Sequence, residues 1–283
     1  MRWLAPDRCF FAHFPDQPDI SLPPTCAALA YIVLDTLIIH LPVSRSLILK
    51  YFNPSSNTRA AQTRLVGQVA ARTVGCVFLA MMFPSAIRTL LDPTMRVSHE
   101  SELYHTSEDS FRCIQVAAAY FIYDTYICTF RYAENGFPFL VHAVLCCMAY
   151  LYPLFTGNMH YQGANFLCWE CSTPFLYLRW ATIKGKFFRS ESKKKAWQNA
   201  SNVLFAMAFF ACRVVSGPWQ SWAYFQASGW DLARGDGAGI SSTVTWAYRS
   251  AMLVLNGLNF WWFSAIMRVA LGKGSGEQTE QKD

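Results

Sequence analysis

The residues of this 283-residue chain whose types invite chemistry are the ionisable ones set inside apolar tracts: Asp35, His40, Arg72, Asp124, His142, Glu170, Arg213 and Arg249. A charge in hydrocarbon costs several kcal/mol, so such residues pair with one another or face a polar cavity. Asp124 lies six residues before the end of one tract, and His142 five residues into the next. At about 1.5 Å per residue, both sit about 8–9 Å deep. The turn at 131–136 folds the two tracts into a hairpin, which lets them meet. Arg72 reaches the same level, and Glu170 lies nearer the midplane. Tyr120 and Asp124 share a helical face at a spacing of four, as do His142 and Cys146. An imidazole beside a carboxylate is the equipment of general-base or nucleophilic acyl transfer. The same side chains in hydrogen-bonded pairs, Asp124 with His142 or Glu170 with an arginine, would only lock helices together.

The tract Trp169-Glu170-Cys171-Ser172-Thr173-Pro174-Phe175 is unusual for a membrane-embedded segment. Pro174 has no N–H, so the Glu170 carbonyl is predicted to lose its helical donor and the helix to kink. Ser172 and Thr173 are expected to bond back to freed backbone groups. The bend brings a carboxylate and two hydroxyls together, either facing a ligand or improving packing.

Other patterns carry less. Cys168-x-x-Cys171 lies on an apolar helix with no second ligand pair and reads as core. Phosphate-cradling glycine loops, G-x-S-x-G elbows and H-E-x-x-H pairs are absent from the sequence. Neither a metal, a resident cofactor nor a nucleic-acid partner is expected. Two aromatic clusters, Trp219 to Trp230 and Phe260-Trp261-Trp262-Phe263, read as interfacial belts.

The elements that position these residues follow from composition. The chain is 53% hydrophobic and 15% charged, against about 25% charged in ordinary globular domains. Disorder, coiled coil and polar nucleic-acid modules fit poorly. Seven tracts approach the length of a bilayer span: 25–44, 66–87, 112–130, 137–154, 163–180, 200–217 and 243–268. The fold class expected is all-α, a polytopic helical bundle with about seven transmembrane helices.

If all seven cross, fourteen Lys and Arg fall on one face and five on the other, out of 24. That bias places the N-terminus lumenal or outside and the C-terminus in the cytosol. Removing one span would largely cancel it. The run Lys193-Lys194-Lys195 reads as a topology anchor, with anionic headgroup binding the other reading. Asn199-Ala200-Ser201 is a glycosylation sequon on the expected cytosolic side and so is expected unmodified. Ten cysteines lie mostly within apolar tracts; only Cys9, Cys26 and Cys113 approach a face that could be oxidising. The N-terminal residues lack the pattern of a cleaved signal peptide.

Three segments together resemble the TLC-domain family, named after translocation-associated, longevity-assurance and ceroid-lipofuscinosis membrane proteins. They are Ala119-Tyr-Phe-Ile-Tyr-Asp-Thr-Tyr126, Phe139-Leu-Val-His-Ala143 and Glu170-Cys-Ser-Thr-Pro-Phe-Leu-Tyr-Leu-Arg-Trp180. Leu258 to Arg268 is similar to the family's final helix. The resemblance covers roughly 66–271 and implies a six-helix bundle around a lipid-accessible cavity, mostly in the endoplasmic reticulum. The organisation expected is a lumenal tail (1–24), one extra N-terminal helix with a basic loop (25–65), the TLC-like domain (66–271) and a polar cytosolic tail (272–283).

Ceramide synthases in that family carry two adjacent His on one helix, then a His-Asp pair and a further Asp on the next. Here Ala143 follows His142, and Tyr161 to Glu170 contains no Asp. The pattern is closer to the branch outside the ceramide synthases, which is implicated in membrane lipid composition. The reading favoured is a membrane protein that binds or handles lipid, an acyl chain or a sphingoid lipid, with a role in lipid homeostasis. Its expected cavity residues are Tyr120, Tyr123, Asp124, His142, Glu170, Ser172, Thr173 and Pro174. The alternative is an N-acyltransferase joining acyl-CoA to a long-chain base, with His142 and Asp124 catalytic and acyl-CoA as co-substrate.

Overall fold

The computed structural model describes residues 24–235 and 239–270, nearly all of them helical. In hydrocarbon the helix satisfies each backbone group within its own segment, which is why such apolar tracts adopt it. The helices are α1 (Pro24–His40), α2 (Pro42–Tyr51), α3 (Arg59–Leu91), α4 (His99–Tyr104), α5 (Glu108–Phe130) and α6 (Tyr132–Asn135). They continue as α7 (Phe137–Thr156), α8 (His160–Phe166), α9 (Thr173–Lys184), α10 (Glu191–Phe209), α11 (Ser216–Ala233) and α12 (Ser242–Ala270). No β-strand occurs among the described residues, where an isolated bridge pairs Phe52 with Gly185.

Local sequence sets the helix ends. The Thr58 side chain accepts from the Ala61 amide to start α3, and Ser107 with Ser110 forms a reciprocal capping box on α5. Gly157 ends α7 at φ +74°, a left-handed conformation natural to glycine. Leu167–Ser172 forms a 3-10 turn between α8 and α9, and Phe210–Val215 forms a π-helical stretch between α10 and α11.

All seven predicted tracts lie in helices. Length and composition qualify α3, α7, the continuous rod α10–α11 and α12 as spans, with the α1–α2 pair, bent by 72°, as a fifth. The remaining two traverse the bundle by what their ends touch. Arg131, just past α5, donates to the Gly67 carbonyl at 3.0 Å, while Arg88 near the end of α3 pairs with Asp109 at the start of α5 at 2.7 Å. Helix α5 therefore runs antiparallel to α3 between these points, about 32 Å, the thickness of a hydrocarbon core. Segment α8–α9 begins where His160 Nδ1 meets the Ser110 hydroxyl at 3.1 Å. It ends where the Asn53 amide donates to the Lys184 carbonyl at 2.8 Å. It thus crosses from the Ser110 end to the end that holds residues 52–58, 131–136 and 185–190. That second end, rich in Lys and Arg, is the basic end.

Helix α5 is the hub, packed most extensively on α7 and α3. Ala117, Ala118 and Ala119 are fully buried, and such small side chains let neighbouring helices approach closely. The extra helix α1 is fastened to this hub by Asp35, which accepts from the Tyr123 hydroxyl at 3.0 Å and pairs with Arg131.

The structure shifts several predicted boundaries. The loop predicted at 181–199 is shorter, because α10 starts at Glu191 and takes in Lys193 to Lys195. The α10–α11 rod has 43 residues, about 65 Å, and outruns a bilayer at its ends. The aromatic cluster after the sixth tract is on α11 rather than beyond it: Trp219 and Trp222 point outward, but Tyr224 is in the core. Cys26 and Cys113 carry free thiols, Cys113 being buried. Cys9, most of the N-terminal tail and the tail after Ala270 lie outside the described residues.

Candidate functional site

Seven elements converge on a cavity of about 350 Å³. Helix α5 presents Tyr120, Phe121 and Asp124; α7 presents Phe139 and His142. The 3-10 turn and the start of α9 supply Glu170, Ser172, Thr173 and Leu176. Phe205, Phe209 and Arg213 close it from the α10 side, and Trp262, Ala265 and Ile266 from α12. The wall is mostly apolar and the polar atoms form one patch.

Within that patch, one pair is saturated. Arg213 contacts Glu170 Oε1 at 2.9 Å, donates through Nε to the Ser172 hydroxyl at 3.0 Å, and reaches Asn259 Oδ1 at 3.4 Å. The Thr173 hydroxyl donates to the other Glu170 oxygen at 2.6 Å. The π-helical stretch carries Arg213, and a local change of helical pitch of this kind recurs at functional sites. The helix-locking pair of a glutamate with an arginine is therefore realised.

Asp124 and His142 line the same cavity but are not bonded to each other. Among the described residues no hydrogen bond or ion pair reaches Asp124. The His142 ring lies 3.7 Å from Cys146 Sγ through Nε2 and edge-on to Trp262 at 5.6 Å. No described carboxylate hydrogen-bonds to it, so the orienting partner of a catalytic histidine is not in place. The Trp262 indole N–H is buried without a partner among the described residues.

Two further spaces adjoin the cavity. A crevice of about 40 Å³ opens past Phe121, His142 and Glu170, and Gln162, Trp169 and Tyr224 each leave a buried polar atom along it without a partner among the described residues. Towards the basic end a groove of about 590 Å³ shares Phe205, Ala265 and Ile266 with the cavity.

Of the residues expected at the site, Tyr120, Asp124, His142, Glu170, Ser172 and Thr173 are brought together. Tyr123 is not: it lies beside Tyr120 on α5 but turns aside from the cavity to bond Asp35. Pro174 sits in the first turn of α9, where its missing N–H costs nothing, so it starts a helix instead of kinking one. The Glu170 carbonyl is not orphaned, because the Thr173 amide closes a 3-10 turn onto it. Ser172 does bond back, to the Trp169 carbonyl at 3.0 Å. Arg72 leaves the predicted polar layer and stacks over Trp180 at 4.2 Å.

Residue-by-residue reading missed the roles of Arg213 and Trp262. Arg213 had a signal, as the lone cation of its tract in need of an anionic partner. Trp262 had none, since an indole near a helix end looks the same at an interface and in a cavity wall.

Residues 68–268 match the TLC domain. An uncharacterized TLC domain-containing protein of Saccharomyces cerevisiae is 26% identical over 219 residues, covering 74% of this chain and 65% of that protein. One from Schizosaccharomyces pombe is 27% identical over 168 residues, covering 58% and 52%. Topoisomerase I damage affected protein 4 of Saccharomyces cerevisiae is 29% identical over 184 residues, covering 64% and 63%. The chain thus spans between half and two thirds of the length of these curated relatives, none of which is named as a ceramide synthase. No solved structure matches it. With the match running from α3 to the end of α12 and enclosing every residue of the cavity, the chain belongs to the TLC-domain family.

Proposed function

We propose that this protein holds an amphipathic lipid in the central cavity and serves membrane lipid homeostasis, in the endoplasmic reticulum with its basic end in the cytosol. The observation that carries this reading is Asp124, a carboxylate in a mostly apolar cavity with no hydrogen-bond or ion-pair partner among the described residues. A charge so placed is costly until something neutralises it. An ammonium head does so, and the Trp262 indole offers a donor to an acceptor on the same head. Phe121, Phe139, Leu176, Phe209 and Ile266 take the hydrocarbon segment. At about 350 Å³ the cavity is within the range of small-ligand sites. A long-chain base or a related single-chain amphiphile combines these features.

Gentle purification followed by lipid extraction and native mass spectrometry tests the reading. Wild type is expected to carry a stoichiometric amphiphile that Asp124→Asn loses about tenfold, the worth of one charge-assisted hydrogen bond. Equal retention by the variant would remove Asp124 from recognition. A covalent acyl adduct lost in His142→Ala would assign acyl transfer instead.

A further inference from the structure

We propose that the groove between α10 and α12 is a second lipid site, which seats a phosphate-bearing lipid of the leaflet at the basic end. The inference builds on the lipid-handling reading but rests on other residues. The groove exists because Ala206 on α10 and Ala265 and Ala270 on α12 all line it, and alanines leave the two helices unfilled between them. Its sides are apolar, and Val203 and Met207 are 57% and 64% exposed outward. It is a chain-sized slot open to hydrocarbon along its length.

The end of this slot nearest the basic loops is a set of donors with spare capacity. Arg179 commits Nε to Asn202 Oδ1 at 2.7 Å, and no hydrogen bond to a described residue engages its Nη groups. Occupying the Asn202 oxygen leaves its amide N–H groups for something else. The Asn199 side chain makes no hydrogen bond to a described residue and lines the same mouth. Lys195, four residues before Asn199, adds a positive charge on the same face of α10. Glu191, one turn further back, is drawn to Lys194 at 3.8 Å. A guanidinium fork, two carboxamides and an ammonium around one opening match the oxygens of a phosphate.

The order of these features along α10 is the order within a phospholipid. Asn199 and Asn202 come first at the basic end, and Val203 to Met207 lie deeper, about 12 Å from Asn199 to Met207. Phe205 lines both the groove and the central cavity, so the seated lipid stands at the doorway to that cavity. The Lys193–Lys195 run, read from charge counting as an anchor, gains a second role: its last member shares the face of α10 that carries Asn199.

The full chain, exchanged into detergent micelles with phosphatidic acid or with diacylglycerol of the same chains, tests this by native mass spectrometry. Wild type is expected to retain phosphatidic acid selectively. Arg179→Gln should lower that retention about tenfold, and Arg179→Lys should restore part of it. Ala206→Phe leaves the mouth intact but fills the slot, and is expected to abolish retention. Melting temperatures near wild type for Ala206→Phe and Arg179→Lys separate loss of the site from loss of the fold. Equal retention in wild type and Arg179→Gln, or undiminished retention in Ala206→Phe, would overturn the proposal. So would displacement by inorganic phosphate or by acyl-CoA at matched concentration, which would assign the donors to a soluble phosphate. Asp124→Asn is expected to empty the cavity and leave this lipid in place, so the two sites fail independently.

Discussion

Glu170 and Arg213 are nearly buried, with side chains 12% and 9% exposed, and they satisfy each other together with Ser172, Thr173 and Asn259. Removing one member strands the other charge, at a cost of about 3–5 kcal/mol. Glu170→Leu and Arg213→Met are each expected to lower the unfolding midpoint in detergent sharply, while the double variant recovers most of the loss. Additive single effects would show that the pair does not act as a unit. Asp124 should behave in the opposite way. With no partner among the described residues to strand, Asp124→Asn is expected to leave ligand-free stability unchanged or raised in the same assay. The sequence made these carboxylates conspicuous, because charges in apolar tracts are rare. It did not say which was neutralised, since the partner of Glu170 lies 43 residues away on another helix.

At the scale of elements, the contacts that organise the site are those that fix α5. Arg131 at its end bonds both Asp35 on α1 and the Gly67 carbonyl on α3, gathering three helices at one point. Arg131→Met is expected to release α1 from the bundle and cost about 3 kcal/mol, read by thermal unfolding and by faster proteolysis near α1. Unchanged protease resistance would mean that apolar packing alone holds α1. At the opposite end, Tyr104 on α4 donates to Asp231 on α11 at 2.6 Å. Burial first, then this hydrogen bond, pushes the tyrosine up to about 12 from its ordinary 10.0. Because the folded value is the higher one, the latch contributes fully below about pH 10 and is lost as pH rises towards 12. The difference in melting temperature between wild type and Tyr104→Phe should shrink across that window. Helix α5 and its hairpin with α7 were legible from the turn at 131–136 and the apolar runs around it. The 3-10 and π-helical segments were not, because each depends on side chains that arrive from elsewhere.

For the whole molecule, if α5 crosses together with the candidate spans α3 and α7, residues 52–58 and 157–159 lie on opposite sides of the membrane. In sealed vesicles with the cytosolic face outward, a membrane-impermeant maleimide is expected to label Ser56→Cys directly. Asn158→Cys should require permeabilisation. Labelling of both from one side would mean an even number of passes between them and would return the count to the helices that qualify by length alone. Hydropathy found all seven tracts but weighed them unequally, since α5 and α8–α9 carry the polar residues the site needs and look less like spans for that reason.

Residue order and composition were enough to establish a helical membrane bundle of this family, because hydrocarbon imposes helix on any long apolar run. They also named most of the polar cavity residues, since a buried charge stands out against apolar neighbours. The packed helices were needed to show that Asp124 has no partner among the described residues while Glu170 is neutralised, that Tyr123 turns away to α1, and that alanines on α10 and α12 leave a groove. Those outcomes depend on which helix faces lie together in space. Facing is set by packing between segments distant in the chain, which no local spacing encodes.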